Sequence, residues 1–387
     1  MDFDRAERLK ALPPYLFAEI DKKNKAAIAA GRDVINLGVG DPDTPTPGFI
    51  IEELNRAAHD PKNHQYALDD GLPEFRRAAA DWFLRRFKVK LDPDTEILPT
   101  IGSKEAIAHF PLAVLNPGDV ALVPEPGYPP YRSGVIFAGG VPHLCPLLRE
   151  NDFLPDLAAI PAKVLKLAKL IYVNYPNNPT AAVATRGFYE DLVAFAKAHR
   201  LIVASDAAYT EVYFDRPPMS FLEVPGARDC GIEFHSLSKT FNMTGWRIGF
   251  AVGNASLVAH LGRLKTNLDS GIFQAIQLAG VQALRNAEAV TPGLIAMYRG
   301  RRDALVAGFA AAGWDVVPPR AAFYAWIATP KGCPSADVAA RLLDEADIVV
   351  TPGVGFGPSG EGYVRAALTV TEDRIREAAR RVARLSF

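Results

Sequence analysis

Residues 234–249 read FHSLSKTFNMTGWRIG, with Lys239 preceded by Ser236 and Ser238 and followed eight residues later by Arg247. The apolar run Cys230 to Phe234 predicts a strand before this stretch, and Ile248 to Val252 predicts a strand after it. The intervening turn is rich in Ser, Thr, Asn and Gly, which sets the lysine on a strand-end loop and not on a solvated helix face. A lysine amine attacks carbonyls only when neutral, and its unperturbed pKa is about 10.4. Bringing that value near 7 takes about 3 units, roughly 4 kcal/mol, from desolvation and nearby positive charge. Two serines and an arginine beside it make an anion seat, because hydroxyl donors and a planar fork together fit phosphate oxygens. A phosphate next to a carbonyl-attacking lysine points to pyridoxal phosphate. The competing reading is an exposed lysine on a serine-rich loop, and Ser-x-Ser-Lys alone does not separate the two.

The totals narrow the class. With 387 residues the chain exceeds the roughly 250–300 at which single cores stop growing, so two domains are expected. Hydrophobic residues make up 49% and charged residues 22%, the balance of a globular enzyme. A formal net charge of −1 leaves no electrostatic footprint for nucleic acid or an anionic membrane. Cys145, Cys230 and Cys333 are scattered, odd in number and without C-x-x-C spacing, which implies a reducing compartment and no metal site. The start, MDFDRAERLK, lacks the apolar core of a signal peptide, and no apolar run approaches the ~18 residues of a membrane span. A cytoplasmic protein is the expectation.

Read in order, residues 1–46 form an arm with a helix from about Leu16 to Ala30 and a short strand at Val34 to Leu37. The strand is broken by Gly38-Val39-Gly40-Asp41-Pro42. Two glycines there admit close backbone approach to a ligand, and an ordinary turn is the alternative. Ile97 to Ile101 predicts a strand, and Gly102-Ser103-Lys104-Glu105 opens a helix through Leu115. Free N–H groups, the helix dipole and a hydroxyl make that start a phosphate seat, unless Ser103 is a plain N-cap. After the strand Asp119 to Pro124, Tyr128 is held between prolines, where a rigid aromatic can stack on a flat ring or simply be buried. Leu170 to Asn174 is a strand ended by Tyr175-Pro176-Asn177-Asn178-Pro179-Thr180, a stiff polar corner. Helix Arg186 to Arg200 leads to the apolar strand Leu201 to Ser205, ended by Asp206, with Tyr209 three residues on. Asp206 either caps the next turn or supplies the acidic partner that keeps a pyridinium nitrogen protonated. The helix Leu257 to Leu268 follows, then long helices to about Gly313. Beyond them come the strand Ala322 to Ala328, the helix Ala336 to Ala346, the strand Ile348 to Thr351, the glycine-rich run 353–362 and the strand Tyr363 to Val370. Arg365 alternates with apolar neighbours on that last strand, and a structural salt bridge is its plain reading. Strands and helices alternate from 96 to 252, which predicts a doubly wound sheet with ligands at strand carboxyl ends. Gly102, Asn178, Asp206 and Lys239 all fall at or just after such ends.

FHSLSKTFNMTGWRIG resembles the cofactor-lysine motif of the fold-type I pyridoxal-phosphate aminotransferases, class I/II. This variant most resembles the branch containing the LL-diaminopimelate aminotransferases. The resemblance runs from about Leu12 to about Thr371. It implies an α/β chain with a large domain built on a mostly parallel seven-stranded sheet and a smaller α/β domain. The expected divisions are an arm at 1–46, a large cofactor-binding domain at 47–284 and a small domain at 285–387.

By the same resemblance, Gly102, Ser103 and Lys104 cradle the phosphate with Ser236, Ser238 and Arg247. Tyr128 stacks on the ring, Asn178 and Tyr209 reach the ring oxygen, Asp206 faces the ring nitrogen, and Lys239 is catalytic. Tyr66, before the Gly71-Leu72-Pro73-Glu74 turn, reaches the phosphate of the neighbouring subunit, so a homodimer with shared active sites is implied. Tyr15, Gly38, Asn178 and Arg365 bind substrate, with Arg365 forking the α-carboxylate. For the distal end of a diaminopimelate the resemblance implies a polar pocket near Tyr15, Lys104 and Tyr128, with Asp69 and Asp70 after Tyr66. Ala181 and Ala182 depart from the family, which carries glycine there, so the backbone must accept a Cβ at that corner. The implied reaction moves an amino group to 2-oxoglutarate, with LL-2,6-diaminopimelate as donor in lysine biosynthesis. Aspartate or alanine as donor, or a C–S lyase on the same fold, are the alternatives. A cofactor-sensing regulator would need a DNA-binding appendage, and no residues remain for one.

Overall fold

The computed structural model describes residues 3–13, 16–67 and 70–387. Apolar runs flanked by turn residues form its strands: β1 Ile35–Asn36, β2 Ile97–Thr100, β3 Val120–Glu125, β4 Val141–Pro146, β5 Ala168–Asn174 and β6 Ile202–Asp206. Then come β7 Gly231–Ser236, β8 Gly249–Gly253, β9 Tyr324–Ala328, β10 Ile348–Val349, β11 Thr351–Pro352 and β12 Tyr363–Ala367. Seven of them make one sheet in the order β2-β8-β7-β6-β5-β3-β4. The pairs from β7 to β4 are parallel, and β8 runs antiparallel to both β7 and β2. This is the expected α/β class with a mostly parallel seven-stranded sheet. Parallel strands covered on both faces read as continuous apolar runs, and β3, β5 and β7 are buried along nearly their whole length.

Helices seal both faces. On one side Pro73–Phe87 packs Trp82 and Phe83 edge-on, and Phe87 tilted, around His235 of β7, which stacks on Phe250 of β8. His235 lies 2.8 Å from Glu233, which also accepts from Ser220 Oγ at 2.8 Å and the Phe221 N–H at 2.9 Å. A fully buried carboxylate is tolerable there because its oxygens are supplied with donors. On the other side Ser103–Val114 and Ala255–Lys265 cover Phe234 and Ala251.

A second core gathers Ile35 and Leu37 from the arm with Phe309, Phe323, Leu342, Leu368 and Ile375. It supports the antiparallel sheet β11-β12-β9 and the parallel pair β1-β10. The 25-residue helix Ala287–Ala311 packs along it.

Several local expectations change. Lys239 sits in a one-turn helix, Leu237–Thr240, not on an open loop, because Ser236 Oγ accepts the Ser238 N–H and nucleates that turn. The run Ile348 to Thr351 divides between two sheets. Pro129–Phe137 is a helix with proline at its first positions, where the missing N–H costs nothing. Strand β4, with two prolines and a half-exposed pattern, is an edge strand.

Candidate active site

The carboxyl ends of β5, β6 and β7 and the start of the helix Ser103–Val114 open onto one cavity of about 340 Å³. Ten of the residues singled out in the sequence line it: Ser103, Lys104, Tyr128, Asn178, Asp206, Tyr209, Ser236, Ser238, Lys239 and Arg247. They arrive from five separate connections, and the parallel sheet brings them together by ending its strands on one edge.

At one end the helix begins with Gly102 as N-cap, at φ 73°, and Ser103 as its first residue. Ser103 is therefore not the cap, and its side chain lines the cavity. A Cβ on Gly102 would overlap the Arg247 guanidinium, so only glycine lets the arginine close over the helix start. Arg247 is held in turn by donating Nη1 to the Thr244 carbonyl at 2.8 Å. Glu105 fastens the same turn from behind, accepting the Ile101 N–H at 3.0 Å and pairing with the buried Lys265 at 3.2 Å.

Asp206 closes the other end. Tyr131 O–H donates to its Oδ2 at 2.6 Å, and the Ala208 N–H donates to Oδ1 at 3.2 Å. The carboxylate thus does cap the turn, as its plain reading had it, while also facing the cavity. Burial pushes its pKa up to about 6, against the pull of those two donors. Between the ends, Lys239 donates Nζ to the Gly40 carbonyl at 2.9 Å and lies 5.6 Å from the centre of the Phe323 ring. Burial, reinforced by Arg247 and Arg365 and opposed by Asp41, draws its pKa down to about 8.

The 38–43 loop and β12 form the adjoining wall. Arg365 is buried and donates to Asn178 Oδ1 at 2.8 Å and to the Gly38 carbonyl at 2.6 Å. Its guanidinium lies 4.3 Å over the Tyr324 ring and 4.8 Å over Phe356. Asn178 is set by its N–H bonding to Asn174 Oδ1 at 2.8 Å. The corner turns through Ala181 at φ 60°, so the backbone accepts a Cβ in the left-handed region where the family carries glycine. Beyond Lys104 and Tyr128 a second cavity, about 460 Å³, is bounded by Leu12, Pro13, Arg132 and Phe356.

Tyr66 is not on this wall; it is 84% exposed, and its carbonyl accepts from Gln274. Asp70 pairs with Arg76 at 3.3 Å. Tyr15 and Asp69 lie outside the described residues. Tyr131, Asn174 and Thr244 also line the cavity. Asn174 ends a strand just as Asp206 does, and that position was its available signal. Among the described residues no group of three or more His, Cys, Asp or Glu is placed to hold a metal ion, and no helix is long and apolar enough to cross a membrane.

The family model for aminotransferase class I and II matches residues 32–382. The chain is 55% identical over 388 residues to the LL-diaminopimelate aminotransferase of Syntrophobacter fumaroxidans, covering all of both chains. It is 54% identical over 387 residues to that of Aquifex aeolicus, again over the whole of both. Among solved structures, substrate-bound BacF from Bacillus subtilis matches with a TM-score of 0.96 at 38% identity, covering 100% of this chain and 99% of that one.

Proposed function

Since the chain belongs to the class I and II aminotransferases and is therefore a transaminase, we propose that it transfers an amino group from LL-2,6-diaminopimelate to 2-oxoglutarate in lysine biosynthesis. Pyridoxal 5'-phosphate, which this family uses, is the cofactor of the reading. The observation that carries it is the convergence of Lys239 and Asp206 on one cavity whose far end is a built anion seat, with Arg365 bonded to Asn178 of its lining. The seat is a helix start, three serine side chains and Arg247, closed over a glycine that a Cβ would block.

Bound there, the cofactor supplies an electron sink that makes the substrate Cα–H acidic. Ser103, Ser236, Ser238, Arg247 and the N–H groups at the helix start hold its phosphate. Asp206, kept in place by Tyr131, would hold the proton on the ring nitrogen. The buried carboxylate lacks water and so gains most from a cationic partner. Tyr209 and Asn178 would serve the ring oxygen, and Tyr128 would stack on the ring. Lys239, with its pKa drawn down to about 8, would carry the proton from the substrate Cα and return it, as a general base and acid should. Arg365 grips the α-carboxylate in a two-bond fork.

A diaminopimelate has an amino acid group at each end. The second cavity, entered past Lys104 and bordered by Arg132, has the room and the cations for the distal carboxylate. The whole-length likeness to relatives named for this substrate supports the same choice. We place the enzyme in the cytoplasm as a homodimer, with Tyr66 of each protomer reaching the phosphate held by the other. The test is kcat/KM for LL-diaminopimelate, aspartate and alanine with 2-oxoglutarate as acceptor. A preference for either smaller donor by about tenfold overturns the substrate assignment. Release of pyruvate, ammonia and thiol from a β-thio amino acid in place of transfer identifies a lyase.

A further inference from the structure

Tyr324 on β9 is buried and does not line the cavity, yet it touches three of the elements that do the binding. Its hydroxyl lies 3.0 Å from the hydroxyl of Tyr209, 115 residues away in the chain. Its ring carries the Arg365 guanidinium at 4.3 Å. Its hydroxyl end also abuts Gly40, where a Cβ would overlap it, and the Gly40 carbonyl is the acceptor for Lys239.

Two phenol hydroxyls in contact share one hydrogen bond, so one donates and the other keeps its proton for a further acceptor. Burial holds both above the ordinary phenol range, so both remain O–H groups at neutral pH. Tyr209 is the one that faces the cavity. When it donates to an oxygen there, Tyr324 is the only partner of the pair left to donate to it, and accepting that bond makes Tyr209 a stronger donor. The charged and titratable groups around the pair are Arg365, Asp206 and Asp41, with Tyr128 and Tyr298 nearby and Lys239 reached through Gly40.

We propose that Tyr324 is a positioning residue that joins the carboxylate seat at Arg365 to the hydroxyl Tyr209 offers the cofactor's ring oxygen. The ring supports the guanidinium from below while the hydroxyl polarises Tyr209. A carboxylate that pulls Arg365 toward itself therefore acts, through one rigid side chain, on the donor at the ring oxygen. This rests on the reading of the cavity as a pyridoxal phosphate site.

The experiment separates ring from hydroxyl. Tyr324→Phe keeps the support under Arg365 and removes the donor to Tyr209. In the cofactor-loaded enzyme without substrate, the pH midpoint of the cofactor's visible absorbance change is expected to rise by about half a unit, because the ring oxyanion loses part of its stabilisation. In a Tyr209→Phe background the same substitution is expected to add no further shift. Tyr324→Leu removes the ring as well, and KM for amino acid and oxo acid is expected to rise about three- to tenfold beyond the Phe variant. An unmoved midpoint in Tyr324→Phe, or an equal shift with Tyr209 already removed, overturns the proposal. Should the Leu variant fail to fold, the Phe pair decides alone. A wild-type protein that takes up no pyridoxal phosphate instead defeats the cavity assignment itself.

Discussion

Arg365 Nη1 lies 2.8 Å from Asn178 Oδ1, joining a strand of the small antiparallel sheet to the polar corner after β5. With the Gly38 carbonyl at 2.6 Å, this fixes the plane of a buried guanidinium before any substrate arrives. Arg365→Lys keeps a charge but loses the planar fork. KM for both donor and acceptor is expected to rise about 10- to 100-fold, more than kcat falls. Steady-state kinetics on the two substrates measure the split, and an unchanged KM for both would remove Arg365 from the carboxylate.

Lys239 has a folded-state pKa of about 8, well below that of the free side chain, so the folded protein binds its proton less tightly than the unfolded chain. The resulting destabilisation is fully present below pH 8 and disappears as pH rises through the unfolded value near 10.4. Against a Lys239→Met variant, the cofactor-free wild type is expected to gain on the order of 3 kcal/mol between pH 8 and about 10.4. Urea titrations at a series of pH values check this. The same variant should retain no transamination.

Asp206 gives the opposite sign. Its folded pKa, about 6, lies above that of a free aspartate, so the buried charge costs stability fully above pH 6 and not at all below the unfolded value. Cofactor-free Asp206→Asn is expected to be more stable than wild type at pH 7.5, by up to roughly 3 kcal/mol, with the gap closing toward pH 4. Turnover should fall by about 10²-fold or more. A variant of equal activity would leave Asp206 as a turn cap only.

Ala181 holds a φ of 60° in the corner that presents Asn178. A β-branched side chain fits that conformation worse than alanine does. Ala181→Val is expected to cost about 2–3 kcal/mol and to weaken cofactor retention along with it. Thermal unfolding and cofactor titration follow the two effects, and a Tm equal to wild type would show the corner to be more pliant than drawn.

Tyr66 exposes 84% of its surface on a single chain. Sedimentation of the active enzyme is expected to give a dimer, and Tyr66→Phe to weaken cofactor retention by removing one hydroxyl. An active monomer at assay concentration would rule out the shared site.

The cavity's framework was legible because chemistry gathers where buried strands end. Gly102, Asn178, Asp206 and Lys239 could be placed from the alternation of apolar runs and turn residues alone. Tyr131 and Tyr324 were hidden for a physical reason. Each acts through a hydroxyl that meets its partner 75 or 115 residues away, and periodicity says only that such a tyrosine is buried. Ser236 capping a one-turn helix around Lys239 escaped for another reason: four residues carry too little pattern to tell a turn from a loop. At Ala181 the sequence marked the unusual residue, but only the backbone shows that the left-handed conformation survives it.

The proposed carboxylate seat spans almost the whole chain, with Gly38 and Arg365 separated by 327 residues. The anion seat is far more local, since its parts lie between Gly102 and Arg247. A ribosome working from the N-terminus therefore delivers the pieces in a fixed order. All the residues of that seat are synthesised while about the last third of the chain is still to be made. The loop with Gly38, synthesised near the start, waits for its arginine almost to the end. On the function proposed above, the one-chain contacts to the cofactor are complete in synthesis order well before those to the substrate.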